Sequence, residues 1–246
     1  MALTHPARYE PIDALRGAAM VWMTLFHLFF DLNHFAYFKA DFYADLFWTW
    51  QRSAIVSLFL FCVGLSQAVA VQQGQSWPRF WRRWRQVALG AALVTAGSYL
   101  MYPQSFIYFG VLHGIALMLI IARLTARCGR WLWLMGAVPL VLSWVAPHLH
   151  ASWPDADFLN APLFNWLGLI SRKPMTEDYV PLLPWLGAMW WGLASGLWVL
   201  RHRPERLQCP VSRPLRPLAV LGRWSLSYYL LHQPVLIGLL MLISRA

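Results

Sequence analysis

The sequence predicts an all-α polytopic membrane bundle, and three observations carry that prediction. The chain of 246 residues is 59% hydrophobic and only 12% charged, whereas soluble domains average about 25% charged residues. Its mean hydropathy is +0.47. Seven apolar runs approach the ~20 residues that a helix needs to cross the hydrocarbon core. In order, they are Leu15 to Phe35, Ser53 to Val71, Val87 to Tyr102, Phe106 to Leu124, Trp131 to Pro147, Leu182 to Leu200 and Leu218 to Ile243. The first run is too long for a cleavable signal and contains His and Asp, so it reads as a retained span. No repeat or composition break divides the chain, and residues 1–246 read as one integral-membrane domain.

The segments between the runs alternate in charge. Arg79, Arg82, Arg83 and Arg85 follow the second run, Arg123, Arg127 and Arg130 the fourth, and Arg201, Arg203, Arg206, Arg213 and Arg216 the sixth. The alternate segments hold Asp41 and Asp45, then only uncharged residues, then Asp155, Asp157, Glu177 and Asp178. The positive-inside rule then predicts a cytoplasmic N-terminus and an external C-terminus, Ala246. Topology anchoring also accounts for the net charge of +10, which argues against a nucleic-acid partner and for the lipid bilayer. Cys62, Cys128 and Cys209 have no zinc or redox spacing, so neither a disulfide nor a metal is expected. The sixteen tryptophans, many near run ends, read as interfacial belts.

Against this apolar background, ionisable groups inside a span are unfavourable unless they face helices, ligand or water. His27, Asp31 and His34 stand at i, i+4 and i+7 and share one helix face. Thr24, Met20, Gly17, Arg16 and Asp13 extend that stripe. Asp31, one turn from His27, is expected to hold a ring nitrogen and stabilise the imidazolium of a general base. At a helix rise of ~1.5 Å per residue, His113 and His232 fall at a similar depth in the outer half of the bilayer. Cross-helix hydrogen bonding, at about 0.6 kcal/mol each, is the alternative use of those two. His34 is open between a site role and an interfacial one, and His5, His148, His150 and His202 read as incidental.

Glycines flank His113 at Gly110 and Gly114, which exposes backbone to a ligand. Ser225, Tyr228, Tyr229 and His232 share a face of the last run, with Pro234 predicted to kink the helix beyond them. Arg16, Arg223 and the cluster containing Arg82 and Arg83 are candidates for binding phosphates, with topology anchoring the alternative.

Several of these residues lie in recognisable motifs: Ile12-Asp13-Ala14-Leu15-Arg16-Gly17, His27 with Phe30-Asp31-Leu32, Gly110-Val111-Leu112-His113-Gly114-Ile115-Ala116, and Leu221-Gly222-Arg223 with Ser225-Leu226 and Tyr229-Leu230-Leu231-His232-Gln233-Pro234. With them the chain resembles the bacterial relatives of heparan-α-glucosaminide N-acetyltransferase. Its first and last motifs are similar also to the wider acyltransferase-3-like membrane enzymes. The resemblance implies transfer of an acetyl group from cytosolic acetyl-CoA to an amino sugar across the membrane. Two departures stand out. The lysosomal enzyme has more spans, and its catalytic histidine follows a Tyr-Phe-Lys run, where this chain has Tyr37-Phe38-Lys39-Ala40. Where that enzyme has Asn, this chain has His27.

The expectation is therefore a multi-pass acyltransferase of the bacterial inner membrane. Acetyl-CoA is its donor, a periplasmic glycan or amino sugar its acceptor, and His27, Asp31 and His34 its catalytic residues. Direct attack and an acetyl-histidine route both stay open, as do N- and O-acylation and a homodimer. The rival is a transporter or flippase with the His/Asp stripe as a proton or substrate path.

Overall fold

The computed structural model describes residues 9–244. His5 and Ala246 lie outside the described residues. Each predicted run is helical, in the order α1 (Glu10–His34), α2 (Leu46–Gln72), α3 (Trp77–Met101), α4 (Val111–Thr125), α5 (Trp131–Ser152), α6 (Trp185–His202), α7 (Glu205–Gln208), α8 (Arg216–Arg223) and α9 (Ser225–Ile243). Among the described residues strand-like pairing is confined to one isolated bridge, Phe109 to Tyr179. Among the described residues five helices are long and apolar enough to cross a membrane: Glu10–His34, Leu46–Gln72, Val111–Cys128, Trp131–Ser152 and Ser225–Ser244.

The other two predicted spans, α3 and α6, fall short for different reasons. The four arginines expected in a loop after α2 occupy the first turns of α3 instead, so that helix begins basic. Helix α6 is rich in tryptophan and glycine, which contribute little hydropathy. The last predicted span is also divided, because the chain breaks at Trp224 into α8 and α9. Pro234, expected to kink α9, sits within a helix that runs on to Ile243.

The chain forms two compact units, Met1–Phe59 with Arg203–Ala246, and Leu60–His202. In the first, α1 opens with Pro11 in its first turn and Glu10 and Asp13 at the positive end of its dipole. It crosses α8 with backbones in contact: a Cβ on Gly17 would collide with the Leu218 carbonyl, and one on Gly222 with the Asp13 carbonyl. Only glycine permits this approach. Arg16 locks the crossing, donating to Asp13 Oδ1 and to the Gly222 carbonyl, each at 3.0 Å. Arg223 lies 3.6 Å from Glu10 Oε1 and 3.9 Å from Asp13 Oδ2.

At its other end α1 closes with Ala36 at φ 62° and two backbone bonds, Ala36 N–H to Asn33 and Tyr37 N–H to Leu32. This is a Schellman motif with alanine where glycine is usual. The following loop folds Phe38, Phe42 and Trp48 over Phe26, with the Phe42 and Trp48 rings 4.2 Å apart.

In the second unit the C-terminal half of α2 meets α6 at Gly64 and Gly192, where added Cβ atoms would strike the Met189 and Phe61 carbonyls. Trp84 donates to the Ala116 carbonyl at 2.8 Å and joins α3 to α4. Trp190 donates to Thr125 at 2.9 Å and joins α6 to α4. Arg123 donates to the Gln75 carbonyl and lies over the rings of Trp77 and Phe80, which pins the end of α4 to the start of α3. Leu60, Met118, Leu132, Met189 and Leu193 form the fully buried centre of this unit.

Candidate functional site

The first unit brings His27 of α1 and His232 of α9 together. His27 Nδ1 and His232 Nε2 are 2.7 Å apart, and the rings are stacked with centroids at 5.0 Å. The second nitrogen of His232, Nδ1, lies 2.7 Å from the Tyr229 carbonyl. A carbonyl only accepts, so Nδ1 of His232 carries hydrogen and, in the neutral pair, its Nε2 is a lone pair. His27 must then donate through Nδ1. The Nε2 of His27 is left unprotonated, which is the state a general base needs.

The surroundings hold this tautomer in place. Tyr228 stacks on His232 with centroids 5.9 Å apart and planes 9° from parallel. Thr24 directs its own hydroxyl hydrogen at the Met20 carbonyl, 2.8 Å away, so the 2.7 Å contact with Tyr228 has the tyrosine as donor. Phe26 meets the His27 ring edge-on. His232 is buried, and His27 is half-buried.

Asp31 does not do what its spacing suggested. Its Oδ1 accepts from Gln233 Nε2 at 2.8 Å, and it is Gln233, beside His232 in the sequence, that the sequence reasoning missed. Only the His-Gln-Pro run pointed to it. His27 is oriented by a second imidazole, not by the carboxylate one turn away. Asp31 is 3% exposed. Among the described residues four buried side-chain atoms have no hydrogen-bond partner, and two of the four, Asp31 Oδ2 and Gln233 Oε1, flank this one hydrogen bond. His34 is exposed at the end of α1, against the edge of Phe35.

The remaining candidates are placed elsewhere. Arg16 and Arg223 serve the crossing of α1 and α8. Arg82 and Arg83 are exposed on the first turns of α3. His113 belongs to the second unit, where it is the third residue of α4. Its Nδ1 accepts from the Gly110 N–H at 3.3 Å, and its Nε2 lies 3.1 Å from Thr95 Oγ1. Thr95 donates to the Ile107 carbonyl at 2.7 Å, so His113 is the donor to Thr95. Both nitrogens are therefore engaged, Nδ1 in capping the start of α4 and Nε2 in tying it to α3, with Asp178 accepting from the Val111 N–H beside them.

The wall of a cavity of about 500 Å³ also includes His113, among apolar side chains such as Trp84, Ala91, Ala116 and Trp166. In the segment between α5 and α6, burial raises the hydroxyl pKa of Tyr179, which donates to the Asn165 carbonyl at 2.6 Å. Asp157, held by Asn160 and Arg172, stays below the usual carboxylate range. Among the described residues no group of three His, Cys, Asp or Glu is placed to hold a metal ion.

Comparison with known families decides the class. The profile of the heparan-alpha-glucosaminide N-acetyltransferase catalytic domain matches residues 8–234. The chain belongs to this family. The match runs from before α1 to Pro234 and so takes in His27, Asp31, His113, His232 and Gln233. Membership makes it a membrane protein of an acetyltransferase family, in agreement with its five apolar helices. No curated protein and no solved structure matches it.

Proposed function

We propose that the protein transfers an acetyl group from cytosolic acetyl-CoA to an amino sugar or glycan on the periplasmic side of a bacterial inner membrane, with His27 as general base. The free Nε2 of His27, inside an apolar span, carries this reading. The acceptor nitrogen attacks the thioester carbonyl while His27 Nε2 takes a proton from that nitrogen. The C–N bond forms, the C–S bond breaks, and the departing thiolate takes the proton back from His27. The products are an acetamide and CoA thiol. His232 keeps the His27 proton on Nδ1 and accepts a hydrogen bond from the imidazolium as it forms.

The stacked Tyr228 and the aromatic cap of Phe38, Phe42 and Trp48 support the reading by shielding this region of the first unit from water. The basic first turns of α3, Arg82 and Arg83 among them, are the second unit's proposed attraction for the phosphates of an anionic donor. A cytoplasmic N-terminus is part of the proposal, because it places these turns on the donor's side.

Purified protein in proteoliposomes, given radiolabelled acetyl-CoA and glucosamine, should release CoA thiol and form N-acetylglucosamine in equal amounts. His27→Ala should abolish both. Undiminished transfer by a folded His27→Ala variant would refute the role of His27, and glucosamine uptake without acetylation would favour a transporter.

A further inference from the structure

We infer that Asp31 and Gln233 form the seat of the acceptor's amino group, an assignment that rests on the acetyl-transfer reading above and narrows it to primary amines. The two oxygens without partners, Asp31 Oδ2 and Gln233 Oε1, are both acceptors and lie at the two ends of one 2.8 Å hydrogen bond. Acceptors are completed by donors, so the missing partner is rich in N–H or O–H groups. A buried carboxylate is also unfavourable without a positive partner. Among the described residues no Lys or Arg nitrogen lies within ion-pair distance of Asp31, and His34, whose charge can act on it from three residues on, is exposed and forms no ion pair with it.

A protonated primary amine meets both requirements. It offers three hydrogens and a positive charge: one hydrogen for Asp31 Oδ2, one for Gln233 Oε1, and a third toward His27; the ammonium passes one proton to Asp31 before reaction, and the neutral nitrogen so freed attacks while His27 takes the next. A hydroxyl offers one hydrogen and no charge and leaves one of the oxygens unpaired. The placement agrees. Asp31 follows His27 by one helical turn on α1, where side chains are neighbours with Cβ atoms about 5–6 Å apart. Gln233 follows His232 directly. An amine held by Asp31 therefore stands one helical turn from His27, whose Nε2 is unengaged. Because Asp31 engages Gln233 and not His27, its charge is available to the substrate.

The test is equilibrium binding of glucosamine and of glucose, which differ in an amine against a hydroxyl at one carbon, to the full chain in lipid nanodiscs by calorimetry. Glucosamine should bind at least about tenfold more tightly than glucose, since a hydrogen bond to a charged group contributes about 1.5–3 kcal/mol, or roughly ten- to hundredfold. Asp31→Asn should weaken glucosamine by about that factor, leave glucose unchanged and so erase the preference. Gln233→Leu should reduce the preference severalfold and decides the matter if Asp31→Asn fails to fold by its thermal unfolding midpoint. No preference for the amine in the wild type, whether both sugars bind alike or neither binds, overturns the assignment. So does a preference that survives in folded Asp31→Asn or, where that variant does not fold, in Gln233→Leu. Amine preference without acetyl transfer would leave the seat standing and remove the acetyltransferase mechanism.

Discussion

His27 and His113 are the same residue type, each on a membrane helix with its imidazole close to a helix neighbour, yet their nitrogens are used in opposite ways. In His113 one nitrogen accepts from the Gly110 N–H and the other donates to Thr95, so the ring completes the first turn of α4 and has no lone pair to offer. In His27 a single nitrogen is engaged, by a partner whose own protonation is fixed by a carbonyl, and the other is left with a free lone pair. The difference lies in the partners. Thr95, obliged to donate to Ile107, can only accept from His113, whereas His232, obliged to donate to Tyr229, can only accept from His27. Counting donors and acceptors around each ring separates a histidine with both nitrogens engaged from one with a lone pair to offer, where burial alone does not.

The largest effect should come from removing the free nitrogen. His27→Ala is expected to lower acetyl transfer by about 10²–10⁴-fold, the usual contribution of a positioned base. Radiolabelled acetyl-CoA turnover measures it, with the unfolding midpoint as control. The partner should matter less. His232→Phe keeps an aromatic ring on Tyr228 but lets His27 change tautomer and removes a hydrogen bond to the forming imidazolium. A loss of about 1.5–3 kcal/mol, or roughly ten- to hundredfold in kcat, should follow, with an altered pH–rate profile that a purely structural change would not produce. An unaltered kcat and pH profile would break the pairing argument.

The other histidine should behave in the opposite sense. His113→Ala should leave kcat near wild type and lower stability by about 1 kcal/mol, as for the loss of a helix cap. A large drop in kcat with unchanged stability would place His113 in the chemistry and undo the contrast. The smallest effect should lie away from both rings. Ala36→Gly at the left-handed position after α1 should stabilise the protein by about 1 kcal/mol, because it relieves Cβ strain, with no change in turnover.

Much of the architecture was legible because apolar runs of span length have few other uses, and all seven predicted runs are helical. The break at Trp224 was not, because the apolar pattern continues across it and only the approach of α8 to α1 requires it. Of the candidate site, the sequence singled out His27, Asp31 and His232, which the first unit holds, but not Gln233 and not the bonds among them. Four-residue spacing suggested that Asp31 serves His27, but the carboxylate's partner is 202 positions away in Gln233, and no local pattern carries that information. Arg16 was a candidate for charge-assisted bonds to phosphate, and its bond to the Gly222 carbonyl, 206 positions away at the glycine crossing, is written in no local pattern. The role of His113 was written locally, as a polar residue three positions after a helix-starting glycine, yet the flanking glycines pointed equally to a ligand site.

Nitrogen-15 NMR of histidine-labelled protein, with His27 and His113 assigned by single substitutions, tests the contrast between them most directly. The donor and acceptor count predicts hydrogen on Nδ1 and a bare Nε2 for His27, and the reverse for His113. Hydrogen on Nε2 of neutral His27, or one shared tautomer for both residues, would contradict the assignment of His27 as the base.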